Sequence, residues 1–164
     1  MLNQIGNQIP NLRKKSYFWD YLYLDTAERS FMRMAIIQSN QFPKNERLCG
    51  KTRIKQLFEA GSTFKVYPLK VVYKRIDNAQ ETPVQVLISV PKKKIKKAVY
   101  RNKVKRQIRE SYRLNNWLLH QKCVDKTVQL HLAFVYLSDS IHPYSEIKEK
   151  VKLSLEKITQ TLEM

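Results

Sequence analysis

VQVLISVPKKKIKKAVYRNKVKRQIRESYR, residues 84 to 113, changes its repeat halfway along. Val84, Val86, Ile88 and Val90 alternate with Gln85, Leu87 and Ser89, the two-residue period of a strand with one apolar face. Pro91 stops that strand, and KKKIKK leads into a segment with a longer period. At about 100° per residue, Val104, Ile108, Ser111, Asn115 and Leu118 cluster on one side of a helix, with Tyr112 and Leu119 widening that side. Arg101, Asn102, Lys105, Arg106, Arg109 and Arg113 occupy the adjoining arc. One face of this helix is suited to packing on a sheet, and the other presents cations outward.

The charge on that arc needs a partner. Like charges four residues apart destabilise an isolated helix by a few tenths of a kcal/mol per pair, and Arg101, Lys105, Arg109 and Arg113 stand at that spacing. The lysine run sits at the helix N-terminus, where the macrodipole is already positive and Ser, Asp or Glu would be stabilising. A helix start with free backbone N–H groups and lysines around it suits a phosphate. Residues 91 to 113 hold eleven Lys or Arg and one acid, Glu110. Runs of lysine are commonly solvated surface, but arginine forks match phosphate geometry. A membrane surface would need apolar groups free to insert beside the basic arc, and here the apolar side is committed to the fold. Nucleic acid is the expected partner.

The rest of the chain agrees. It has 164 residues, 31 Lys and Arg against 14 Asp and Glu, and a formal net charge of +17, which attracts polyanions. Hydrophobic residues make up 43%, enough for one packed domain. No uninterrupted apolar run reaches the length needed to span a bilayer, and the first residues lack the apolar core of a secretory signal. Cys49 and Cys123 read as reduced thiols of a cytoplasmic protein. Three glycines, Gly6, Gly50 and Gly61, leave no glycine-rich nucleotide loop.

Residues 1–40 form an N-terminal extension, with the aromatic run SYFWDYLYL at 16 to 24 and no clear period. An upstream start before Met34 and an accessory segment are both open. Residues 41–164 form the domain. Ile54, Leu57 and Phe58 mark a short helix that Gly61 would end in a left-handed cap. PLKVVYKR (68 to 75) reads as a strand, and VQLHLAFVYL as another with Val128, Leu130, Leu132, Phe134 and Tyr136 on one side. Ile147, Val151, Leu155 and Ile158 stripe a closing helix. The order gives a two-layer α/β (α+β) sandwich, α-β-β-(β)-α-β-α, with a central mixed sheet of about four strands.

SVPKKKIKKAVYRNKVKRQIRESYRL resembles the signature of the bacterial ribonuclease P protein component: a strand ending in Ser-Val, a lysine pair, then Arg-Asn-x-x-Lys-Arg-x-x-Arg on one helix. The likeness runs in order from about Phe42 to the last helix and takes in FPKNERL. It implies a ribosomal protein S5 domain 2-like fold with a left-handed βαβ crossover. It also implies a subunit of an endoribonuclease whose catalytic RNA, with Mg2+, removes the 5′ leader of precursor tRNA. The partners implied are that RNA and the leader, with no obligate protein partner, no organic cofactor and no catalytic residue on the protein.

By position the resemblance assigns RNA contact to Arg101, Asn102, Lys103, Lys105, Arg106 and Arg109, and to Lys92 and Lys93 at the strand exit; Arg113, on the same arc of the helix, is expected to join them. It assigns a leader groove to Phe58, Ile54, Tyr73 and Ser89, with Tyr67 replacing Tyr73 in a shifted register. Periodicity alone would put Phe58 in the core. Ile54 stands where the family commonly has an aromatic residue, and Lys96-Lys97 where it has Gly-Asn. Two other readings are a basic RNA-binding or ribosome-associated protein without a role in cleavage, and a metal-dependent nuclease acting alone. The absence of clustered carboxylates near the basic arc counts against the last, and His120, His131 and His142 have no mutual spacing that makes a metal site.

Overall fold

The computed structural model describes residues 42–77 and 82–163, so both readings of the N-terminal extension lie outside the described residues. A short 3-10 turn, Lys44–Glu46, precedes helix α1, Lys51–Ala60. Strands β1, Ser62–Val66, and β2, Leu69–Ile76, form a hairpin, and β3 spans Val84–Ser89. Helices α2, Ala98–Asn115, and α3, Trp117–Asp125, then lead to β4, Gln129–Tyr136, and to α4, Tyr144–Glu163.

The sheet order is β1-β2-β4-β3. β1 and β2 are antiparallel, as are β2 and β4, while β3 and β4 run parallel with Val84 opposite Leu130 and Ser89 opposite Val135. A parallel pair cannot be joined by a tight turn, and α2 with α3 supplies the crossover. The fold is the expected mixed four-stranded α+β sandwich. β1 is a strand that the sequence pattern does not place, because STFKV lies at the sheet edge with only Phe64 and Val66 partly buried and so carries little apolar pattern.

Two cores result. On one face Leu69, Val71, Val84, Val86, Leu130, Leu132, Phe134 and Tyr136 pack against Val104, Ile108 and Tyr112 of α2 and Ile147, Val151, Leu155 and Ile158 of α4. On the other face α1 covers a smaller cluster of Leu48, Leu57, Val72 and Ala133, with Ile54 and Leu87 at its margin. Because β4 lies between β2 and β3 and is covered on both faces, seven of its eight residues are buried.

Two expectations are corrected. The helical stripe does not continue through Leu118. The chain breaks at Asn116, where Asn115 Nδ2 donates to the Ser111 carbonyl and α3 restarts with His120 N–H on Asn116 O. The restart turns Leu119 and Cys123 inward and leaves Leu118 45% exposed. Gly61 does not form a left-handed cap either; it is extended, at φ −88° and ψ 144°. Its reason for being glycine is space, since a Cβ there would collide with the Leu57 carbonyl oxygen and stand 3.0 Å from Val72 Cγ1. The left-handed glycine is Gly50, at φ 96° before α1.

One polar pair beside the larger core is hydrogen-bonded and neutral. The Tyr112 hydroxyl and His120 Nε2 share a 2.7 Å hydrogen bond. Burial lowers His120 to about 4 and raises Tyr112 well above its usual range, so both stay uncharged at neutral pH. Burial also pushes the Glu46 carboxyl up from 4.5 to about 7.

Gly61→Ala is expected to lose about 1–3 kcal/mol of stability, read as a lower urea midpoint with an unchanged slope. For Glu46, the unfolded chain gives up its proton near 4.5 and the folded chain near 7, so folded-state stability falls as pH rises between those values. Glu46→Gln should therefore match the parent near pH 4 and melt progressively higher than it up to pH 7. Melting curves across that range, in which the His120 contribution is common to both proteins, check this.

Candidate nucleic-acid interface

The α2 helix divides as its sequence requires. Val104, Ile108, Ser111 and Tyr112 are buried against the sheet and α4. Asn102, Lys103 and Arg106 are exposed, while Lys105 and Arg109 are half-buried beside them. The N-cap, Lys97, makes no side-chain cap bond, and the first turn holds no acid. The first backbone N–H groups of α2 therefore point at a region of positive charge, the arrangement that favours a bound anion.

The loop before α2 is anchored from within. Ile95 is buried, and Arg101 folds back so that its Nη1 donates to the carbonyls of Ile95 at 3.1 Å and Lys96 at 2.6 Å. Lys94 pairs with Asp139 at 3.1 Å. Lys92, Lys93, Lys96 and Lys97 are left exposed around the helix start. The arc closes at the other end with Arg113, whose Nη2 and Nε bind both carboxylate oxygens of Glu110 at 2.6 and 2.9 Å. That hydrogen bond holds the Glu110 carboxyl below its usual range and Arg113 above its own. Arg113 is 18% exposed at its side chain, so its charge is largely spent within the helix. Arg101 and Arg113 thus frame the arc, and Asn102, Lys103, Lys105, Arg106 and Arg109 compose it.

The residues assigned to a leader groove divide between the two sheet faces. Phe58 is 44% exposed on α1, so it is not the core residue that periodicity suggested. Ile54 lies half-buried beneath it with Leu57 and Leu87, and Ser89 ends β3 on the same side as Leu87. His131 is buried in this face, its pKa lowered by burial and by the nearby Arg53 and Lys74. The face therefore carries positive charge beside an exposed aromatic ring. Tyr73 is the correction. Strand alternation puts it with Leu69 and Val71 on the opposite face, where its ring meets Phe64 edge-on at 6.0 Å. Tyr67 is 60% exposed in the β1–β2 turn with its ring against His142 at 5.6 Å. Neither tyrosine joins Phe58 and Ile54.

Two arrangements were not legible beforehand. His142 bonds Ser138 Oγ at 3.0 Å and Glu146 at 2.8 Å, the order of a nucleophile–base–acid relay. Ser138 is only 4% exposed and its oxygen already accepts the Ser140 N–H, so the group closes the turn between β4 and α4. The other is the segment Phe42–Leu48, which lies over the middle of α2. Phe42 meets Tyr112 edge-on at 5.8 Å and carries the Arg109 guanidinium 5.9 Å from its ring centre. Among the described residues, no three His, Cys, Asp or Glu side chains are grouped to hold a metal ion. No helix among them is long and apolar enough to cross a membrane.

The ribonuclease P family model matches residues 42–159. The ribonuclease P protein component of Porphyromonas gingivalis is 36% identical over 115 residues, covering 70% of this chain and 84% of that protein. The ribonuclease P protein component of Chlorobaculum tepidum is 32% identical over 130 residues, covering 74% and 84%. A solved Staphylococcus aureus RNase P protein mutant with defective mRNA degradation activity aligns at a TM-score of 0.51 with 19% identity, over 82% of this chain and 98% of that one, a likeness of fold. The match starts at Phe42, whose ring meets Tyr112 and Arg109 of α2, and runs into α4; the protein belongs to the ribonuclease P protein family, RNA-binding ribonucleoprotein components of tRNA processing.

Proposed function

We propose that this chain is the cytoplasmic protein subunit of ribonuclease P, binding the catalytic RNA through α2 and the loop before it, and the precursor 5′ leader on the α1 face of the sheet. The observation that carries this reading is the arc itself: exposed Asn102, Lys103 and Arg106 beside half-buried Lys105 and Arg109, next to a helix start with no cap and no acid. Neutralising Lys92, Lys93, Lys103, Lys105, Arg106 and Arg109 with phosphate would release condensed counterions, for a salt dependence of roughly −4 to −5 in log affinity against log salt. RNA relieves the repulsion along the helix that the protein leaves unrelieved.

Phe58 would serve the leader differently. An exposed ring over a sheet face with Arg53 and Lys74 nearby suits single-stranded RNA, whose unpaired bases stack while the backbone follows positive charge. Ile54 contributes apolar surface without stacking, and Ser89 offers a hydroxyl at the strand end. The chemistry is assigned to the RNA. Magnesium, a hard ion that prefers oxygen ligands and retains waters, would be held by RNA phosphates. The protein's part is to hold the RNA fold and the leader, easing the demand for magnesium.

Reconstitution separates this from a general basic RNA-binding role. Added to a ribonuclease P RNA at low magnesium, the protein should restore cleavage of precursor tRNA; RNA binding without restored cleavage would favour the general role. Arg106→Ala should weaken RNA binding and make the salt slope shallower by about one unit, and an unchanged slope removes Arg106 from the interface. Phe58→Ala should weaken binding of leader-bearing precursor more than binding of mature tRNA. Equal losses on the two ligands would assign Phe58 a structural role instead.

A further inference from the structure

The segment Phe42–Leu48 is more than a cover for the core. Its backbone is fixed against the free side of β3: Leu48 N–H donates to Val86 O at 3.0 Å, Gln85 Nε2 to Asn45 O at 3.1 Å, and Arg47 forms a parallel bridge with Val86. The 3-10 turn adds Glu46 N–H to Pro43 O and Arg47 N–H to Lys44 O, both 3.2 Å. Arg47 therefore springs from a rigid backbone, and its guanidinium lies 5.8 Å from the centre of the Phe42 ring. Arg109, from α2, lies 5.9 Å from the same ring.

Two guanidiniums sharing one ring are held there without an anion. Among the described residues neither forms an ion pair. Arg47 Nη2 reaches only the Phe42 carbonyl, at 3.4 Å, and Arg109 Nε is buried with no hydrogen-bond partner. Of the neighbouring acids, Glu110 takes both oxygens to Arg113, and Glu46 is half-buried near Tyr112 with its carboxyl raised to about 7. A guanidinium lying on an aromatic ring keeps its forked N–H edge available, and that edge fits phosphate oxygens. The ring is itself braced by its edge contact with Tyr112.

We propose that Arg47 and Arg109, set by the Phe42 ring between two separate elements, form a site for the RNA sugar–phosphate backbone that extends the α2 interface onto the Phe42–Leu48 segment. The site rests on the RNA-subunit reading and adds to it a contact from outside the basic helix. Arg47 is the binding residue it adds, and Phe42 is a positioning residue that acts through both arginines.

The test uses the full chain and a ribonuclease P RNA transcript, with affinity measured across a salt series. Arg47→Gln, an exposed substitution, should weaken binding about fivefold or more and make the salt slope shallower by about one unit. Phe42→Leu keeps apolar bulk but removes the ring; it should weaken binding in the parent and add nothing in an Arg47→Gln/Arg109→Gln background. Arg47→Gln binding with parental affinity and slope, while Arg106→Ala weakens it, would overturn this site and leave the function standing. A Phe42→Leu loss that persists undiminished in the double background would overturn the positioning role. A parent chain that fails to bind the transcript would overturn both the site and the function it rests on.

Discussion

The parallel pairing of β3 with β4 is the constraint on which the rest depends. Strands that run the same way must be joined by a long connection, and here that connection is α2 followed by α3. The crossover lays α2 across one sheet face, so Val104, Ile108 and Tyr112 must point at the strands. Once they do, a helix of this sequence has only one place for its cations, the side away from the sheet. The position of β4 between β2 and β3 also explains why it is buried on both faces. It is the strand from which both cores are built.

The electrostatics of the interface follow from which charges the protein neutralises by itself. At the N-terminal end Arg101 is drawn into the loop carbonyls and Lys94 into Asp139. At the C-terminal end Glu110 takes up Arg113. These contacts order the two ends of the helix and its approach. Between them, Lys103, Lys105, Arg106 and Arg109 have no carboxylate among the described residues, and the helix start has no cap. The basic segment is thus divided into cations that support the fold and cations available to a polyanion. Arg109 belongs to both groups, because its Nε is buried while its Cζ lies 5.9 Å from the centre of the Phe42 ring.

The second face obeys different physics. α1 covers only the Leu57, Val72 and Ala133 cluster, and leaves Phe58 outside it. Exposing a phenyl ring forgoes the stabilisation that burial would give, and Arg53 and Lys74, close enough to His131 to lower its pKa, make this face positive. A purely structural account explains Ile54 and Leu57 well but gives no reason for an aromatic residue at 58.

Much of this was determined by the sequence alone. The change from a two-residue to a helical repeat across residues 84 to 113 located β3, α2 and the buried stripe, because side-chain direction follows backbone period. The same repeat separated the cations from the core. Composition and charge directed attention to a polyanion, and the Arg-Asn-x-x-Lys-Arg-x-x-Arg spacing after the lysine pair named the family. Only the tertiary structure decided the rest. That Tyr73 faces away from Phe58 depends on strand register, which a hairpin turn and a neighbouring strand set together. That Gly61 is glycine for space and that Leu118 turns outward depend on groups brought close by packing. Arg47 and Arg109 are 62 positions apart in the chain and meet on one ring only because the segment bearing Arg47 docks on β3 while the crossover returns α2 beside it. Periodicity reports which way a side chain points; it carries no information about which distant group it will meet.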